Sequence, residues 1–168
     1  MDADRETEQK HMLADFFDEN TMHMRLSSSL DKLRNLQRGD GGWSWWPEMP
    51  GSFYMTVAIS EMLVRLNALT GTKTETVKML DKAFSFMGKE VVRDVNEMKK
   101  CAKKGNKPSF PSFRMLQWLY LCTLDGRSLP SDVQAANDYL LPLLKKDVKS
   151  QTIYEKAMTA VILSKTDV

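Results

Sequence analysis

The sequence is poor in the residues that interrupt helices. Eight glycines and six prolines among 168 residues are few, and they fall in clusters. A fold of many short strands needs turn residues at close, even intervals, so this scarcity favours long helices. Cysteine is nearly absent. Cys101 and Cys122 are the two, and neither belongs to a C-x-x-C pair or lies near a histidine. That argues against a cysteine-based metal centre, while a disulfide between the two is left open by the sequence. No run of about 18 apolar residues occurs, so no helical membrane span is expected. The net charge of +2 is too small to argue for nucleic acid. The one basic run, Lys99 to Lys104, has no interleaved aromatics. It reads as a solvated helix end whose lysines complement the helix dipole. The opening residues, Met1 to Glu6, are polar and largely acidic, unlike a signal peptide.

What is present is an ordinary globular balance, 42% apolar and 27% charged, with helical periodicity throughout. Thr7 to Asn20 carries Met12, Leu13, Phe16 and Phe17 on one face. Met22 to Gln37 carries Met22, Leu26, Leu30, Leu33 and Leu36. A third helix is expected after Pro50-Gly51, capped by Ser52 and ended by Gly71. It is apolar on nearly all sides and is expected to be deeply buried. Thr74 to Lys104 reads as one long helix or two, with a stripe of Val77, Leu80, Phe84, Met87, Val91, Val95 and Met98 and a charged outer face. Gly105-Asn106-Lys107-Pro108 breaks it. Ser112 to Leu124 is again apolar almost all round. An amphipathic stretch capped by Ser131-Asp132 follows, with Val133, Ala136, Tyr139, Leu140, Leu143 and Leu144. The last helix, Ser150 to about Lys165, is read with Ile153, Ala157, Ala160, Val161 and Leu163 inward. Roughly seven helices with short connections, alternately polar-faced and apolar, imply an inner layer covered by an outer one in antiparallel pairs. The expected organisation is a single helical domain over residues 1–168.

The landmark is the loop Gly39-Asp40-Gly41-Gly42-Trp43-Ser44-Trp45-Trp46. Three of the four tryptophans lie in it, between a glycine turn and Pro47. Its glycines permit positive φ and close backbone approach, and Asp40 can accept N–H bonds in the turn. Three readings are open. The loop is a tryptophan-pinned turn joining helix pairs, an aromatic platform for a sugar or apolar ligand, or a contact surface for another domain or protein.

The stretch Leu36 to Pro47, followed by Ser52-Phe53-Tyr54-Met55-Thr56, resembles the bacterial alpha-2-macroglobulin-like proteins, in the variant of Bacteroides-type bacteria. Their complement-like, thioester-containing domain carries a similar tryptophan passage. Met115 to Leu121 and Thr152 to Met158 resemble two later helices of that domain, in the same order. The resemblance covers the chain from about Leu30 onward. It marks Gln37, Asp40, Gly41, Gly42, Trp43, Trp45 and Trp46 as a signature loop. It implies an α/α toroid, here an incomplete one, excised from a larger protein of the periplasm or cell envelope. It also implies a non-enzymatic structural and interaction domain of a protease-trapping endopeptidase inhibitor. Its partners would be the parent's other domains and, through the parent, target proteases. The family's reactive Cys-x-Glu-Gln is matched by neither Cys101-Ala102-Lys103-Lys104 nor Cys122-Thr123-Leu124-Asp125, so no thioester is assigned. A histidine that follows the passage in some relatives has no counterpart. His11 and His23 precede it and read as helix-surface residues.

The Gln37-x-x-x-Gly41-x-Trp43 spacing also resembles the glutamine–tryptophan repeats of terpene cyclases. The alternative is therefore a toroid enzyme acting on carbohydrate or isoprenoid. Against it, no Asp-x-Asp-Asp motif and no Asp/Cys/His zinc set occurs. For glycoside hydrolysis, two carboxylates about 5–10 Å apart are needed. Asp40 and Glu48 are the only candidates beside the tryptophans, and each reads more readily as a turn or solvated residue. Asp15, Asp18 and Glu19 form an acidic helix end with too few ligands for a cation. No metal and no cofactor is expected. The 12 methionines fall mostly on apolar faces, as core filling.

Overall fold

The computed structural model describes residues 2–16, 18–71, 74–105, 110–146 and 151–166, with the backbone alone for 2–4, 15 and 16. Phe17, Asn106, Lys107, Pro108 and Ser150, which enter the expectations above, lie outside the described residues, as do the side chains of Asp15 and Phe16. The described residues are all-helical, with seven α-helices, one 3-10 turn and no strand. By internal packing the chain divides into two units, residues 1–36 and 37–168.

The first unit holds α1, Asp2–Phe16, and α2, Glu19–Leu36. Asp18 starts α2. Its carboxylate accepts from Thr21 N at 2.9 Å, so this acidic residue is a helix cap. Glu19 complements the helix N-terminus. His11 and His23 are exposed. Met12, Leu13, Met22 and Leu36, expected to face a core, are exposed, whereas Leu30 is buried.

The second unit holds α3, Phe53–Thr70; α4, Val77–Lys103; α5, Phe113–Asp125; α6, Ser131–Leu140; and α7, Ile153–Lys165. The caps explain the boundaries. Ser52 and Ser112 accept from Met55 N and Met115 N, at 3.4 and 3.5 Å. Gly71 and Gly126 take left-handed φ of 70° and 68° and close α3 and α5. Thr152 and Glu155 form a reciprocal capping box on α7, two residues inside the expected start. Pro130, rather than Ser131, is the N-cap of α6, and no side chain caps that end. Asp132 instead accepts from Val133 N at 2.9 Å. Pro142, which cannot donate an N–H, falls where α6 tightens into a 3-10 turn, Leu141–Lys145.

Packing sorts these helices into two rows. α5 lies between α3 and α7, while α4 lies against α6 and backs onto α3. The long α4 is one helix. Of its expected stripe, Leu80, Phe84, Met87, Val91 and Val95 are buried as the period requires, Met98 is half-buried, and Val77, in the first turn, is exposed. At Gly88 the side chain of Val133 on α6 packs close, since a Cβ there would sit 3.1 Å from its methyl. Trp118 of α5 is fully buried against Phe84, ring centroids 5.4 Å apart. Its indole N–H donates to Asn137 of α6 at 2.8 Å, which satisfies the one polar atom a buried tryptophan carries.

Two further expectations about burial fail. The helix α3 is half buried, not deeply buried, because Tyr54, Met62 and Leu69 face water. On α7 the inward residues are Met158, Thr159 and Ile162, while Ile153, Ala157 and Ala160 are exposed. Both helices are apolar nearly all round, so their pattern carries no direction.

Candidate signature loop

The loop from Gln37 to Ser52 connects α2 to α3, and its polar groups are directed at backbone. Gln37 Nε2 donates to Gly41 O and to Met79 O of α4, both at 2.9 Å. Arg38 N donates to Gly42 O at 2.8 Å, and Gly41 N donates back to Arg38 O at 3.0 Å. The Asp40 carboxylate spans the loop: Oδ1 accepts from Gly42 N at 2.9 Å and Oδ2 from Gly51 N at 2.8 Å. One side chain thus joins the loop's two arms across eleven residues.

Glycine is required here for two different reasons. Gly41 has a φ of 95°, and a Cβ on it would lie 2.4 Å from the Lys82 carbonyl oxygen of α4. The contact is backbone on backbone, so no rotamer relieves it. Gly42 and Gly51 let the two arms touch, since a Cβ on either would stand 2.9 Å from the other's Cα.

Trp43 is the anchor. It is 2% exposed. Its N–H donates to Thr56 Oγ1 at 2.9 Å, and its carbonyl accepts from Ser52 N at 2.8 Å. Thr56 Oγ1 in turn donates to Ser52 O at 2.7 Å, locking the first turn of α3 to the loop. Beyond Trp43 the chain turns outward. Ser44 Oγ donates to Trp46 O at 2.8 Å, and Glu48 adopts a left-handed φ of 73°, uncommon outside glycine. Trp45 and Trp46 are 58% and 68% exposed. The Trp45 ring stacks on Tyr54 of α3, centroids 5.9 Å apart and planes 8° apart.

The structure therefore separates the seven signature residues. Gln37, Asp40, Gly41, Gly42 and Trp43 form one interlocked turn on α3 and α4, whereas Trp45 and Trp46 stand outside it. Each Asp40 oxygen is taken by a backbone N–H, and Glu48 is exposed on the outer turn. Among the described residues no group of His, Cys, Asp and Glu could hold a metal ion, and no helix is long and apolar enough to cross a membrane.

The Met79 carbonyl that Gln37 reaches and the Lys82 carbonyl against Gly41 carry no signal in the sequence: both are distant in the chain, and a backbone acceptor has no residue type to betray it. Two arginines tie the helices together elsewhere. Arg114 reaches Asp94 at 2.5 Å and lies 4.5 Å over Phe53. Arg127 reaches Asp125 at 2.5 Å and Asp81 at 2.9 Å, and lies 3.9 Å over Phe84.

Cys101 is exposed at the basic end of α4, and both thiols are free. Burial pushes the Cys122 thiol up to about 12, so it holds its proton and is a poor nucleophile. The basic run behaves as a helix end: Lys100 pairs with Glu97 at 2.7 Å, and Lys99 covers the Tyr139 ring at 4.9 Å. No family model, curated protein or solved structure matches the chain.

Proposed function

We propose that the chain is a non-enzymatic structural and interaction domain of a bacterial alpha-2-macroglobulin-like, protease-trapping protein, wound as part of an α/α toroid. The observation that carries the reading is the loop. Five of the seven residues that give the family resemblance, Gln37, Asp40, Gly41, Gly42 and Trp43, are those that clasp α3 to α4. A signature whose polar groups are spent on backbone suits a scaffold better than a reacting centre. The row α3–α5–α7, backed by α4 and α6, is the order in which a toroid of helix pairs is wound, which supports the same reading.

On this proposal the domain meets the parent's other domains, and target proteases through the parent, in the periplasm or cell envelope. The test is a trapping assay on the whole encoded protein mixed with broad-specificity endopeptidases. A trapped protease keeps its activity on a small peptide and loses it on a large protein substrate. Equal activity on both substrates for every protease tried contradicts the proposal. So does hydrolysis of an oligosaccharide by the chain that Asp40→Asn or Glu48→Gln abolishes without unfolding it.

A further inference from the structure

Three helix ends of the second unit border a cavity of about 490 Å³, and small-ligand sites run from about 300 to 1,000 Å³. The last turns of α3 and α5 and the first turns of α4 line it, with Val64, Ala68, Leu80 and Leu124 as apolar wall. The polar wall has three parts. The first is Asn67, which is 7% exposed. Its Oδ1 accepts from Thr76 Oγ1 at 2.8 Å. Among the described residues nothing accepts from its Nδ2, and that atom is not sealed in the core. An amide N–H left without a partner on a buried residue is costly, and the cavity is the open space beside it. The second part is the start of α4. Thr76 is the N-cap, but its hydroxyl is turned to Asn67 and makes no cap bond. The positive end of a 27-residue helix meets the cavity at Val77. The third part is a charge cluster. Arg127 binds Asp125 and reaches Asp81 Oδ1 at 2.9 Å. Two carboxylates against one guanidinium leave an excess of negative charge, and among the described residues nothing takes Asp81 Oδ2.

We infer that this cavity binds an α-ammonium group with its adjoining carbonyl, carried on an aliphatic side chain. That is the chemistry of an apolar amino acid, free or as the first residue of a short peptide. Each part of such a ligand answers one feature of the wall. Its carbonyl oxygen accepts from Asn67 Nδ2 and faces the start of α4. Its ammonium donates to Asp81 Oδ2, within the excess negative charge and beside the C-terminal end of α5 at Asp125. Its side chain lies on Val64, Ala68, Leu80 and Leu124 and leaves water. The spacing agrees. Thr76, which holds Asn67, and Asp81 are five residues apart, about 7.5 Å along α4 at 1.5 Å per residue. An ammonium and its neighbouring carbonyl span that with one hydrogen bond at each end. A simple anion would meet two carboxylates with no charge of its own to offer them. A simple amine would leave the Asn67 N–H unmet.

Titration of the nitrogen-15-labelled full chain, followed by NMR, tests the inference. L-leucine and L-leucinamide are the probes, the amide standing for the first residue of a peptide. Saturable shifts of the Asn67 side-chain amide with either probe support the inference, and the tighter of the two identifies the source. 4-Methylpentanoate lacks the ammonium and 3-methylbutylamine lacks the carbonyl, so each should bind at least about tenfold more weakly than the tighter probe. Asp81→Asn, at a site whose side chain is 62% exposed, should weaken that probe by a similar factor with an unchanged helical circular dichroism spectrum. Asn67→Asp keeps the acceptor for Thr76 and removes the open donor, and it should weaken the probe as well. No shift at Asn67 with either probe up to about 10 mM overturns the inference. So does equal affinity in Asp81→Asn and the wild type, or 3-methylbutylamine binding as tightly as the better probe.

Discussion

Replacing Trp43 with alanine separates an anchoring tryptophan from a displayed one. Trp43 is 2% exposed while its neighbours two and three positions on are mostly in water. Deleting its indole removes about 200 Å² of buried surface, worth about 5 kcal/mol at 25 cal/mol per Å² as an upper bound. Partial collapse of the site lowers that, and buried Trp→Ala substitutions cost about 3–5 kcal/mol. The backbone bonds of residue 43, from its N–H to Thr56 and from Ser52 to its carbonyl, survive the change. The loss should therefore be nearly all packing. Urea unfolding followed by far-UV circular dichroism, at one low protein concentration, gives the number. Trp46→Ala should cost less than about 0.5 kcal/mol. Trp45→Ala should cost about 1 kcal/mol, through the lost Tyr54 stack. A Trp43→Ala loss below about 1 kcal/mol, or three equal losses, would refute the reasoning.

Other outcomes follow from the same geometry. Asp40→Ala strands the N–H groups of Gly42 and Gly51, and at about 1.5–3 kcal/mol per charge-assisted bond it should destabilise by roughly 3 kcal/mol in the same unfolding assay. Gly41→Ala drives a Cβ to 2.4 Å from the Lys82 carbonyl in a left-handed conformation, and should cost more than about 2 kcal/mol, whereas Gly39→Ala, with open space around it, should be nearly silent. A thiol reagent at pH 8 should modify Cys101 of the native chain fast and half-buried Cys122 slowly, and both alike after denaturation; equally fast native labelling of Cys122 would contradict its raised pKa. The Cys122 pKa is raised from an ordinary 9.0 to about 12. Its contribution to stability is therefore fully present below pH 9 and declines as pH climbs toward 12, which unfolding curves at pH 8 and pH 10.5 should register for the wild type but not for Cys122→Ala.

Much of this architecture was legible because particular residues act locally. Ser52 and Gly71 bound α3 within one turn of chain, and Leu80, Phe84, Met87, Val91 and Val95 of the α4 stripe point one way because the other face is charged. The glycines of the loop announced close approach, and Asp40 announced a turn. What stayed illegible depended on partners far along the chain or on helices without a polar side. Nothing in Ala157-Met158-Thr159-Ala160-Val161-Ile162 says that Thr159 faces inward, and the contact with α5 decides it. The division between Trp43 and Trp45 depends on where α3 and α4 leave room, since the three tryptophans are alike as residues. The resemblance to macroglobulin-like domains marks the loop and Thr56, but the Met79 and Lys82 carbonyls of α4 against it come into view only with the helices in place.

The central claim is that residues 37–52 form a fixed clasp on α3 and α4 rather than a mobile ligand-binding loop. Amide hydrogen exchange at Gly42, Trp43, Gly51 and Ser52 tests it most directly, because each N–H has an acceptor within 2.9 Å. The account predicts that these four amides exchange as slowly as those in the middle of α3. Exchange at the rate of an unstructured loop would contradict it.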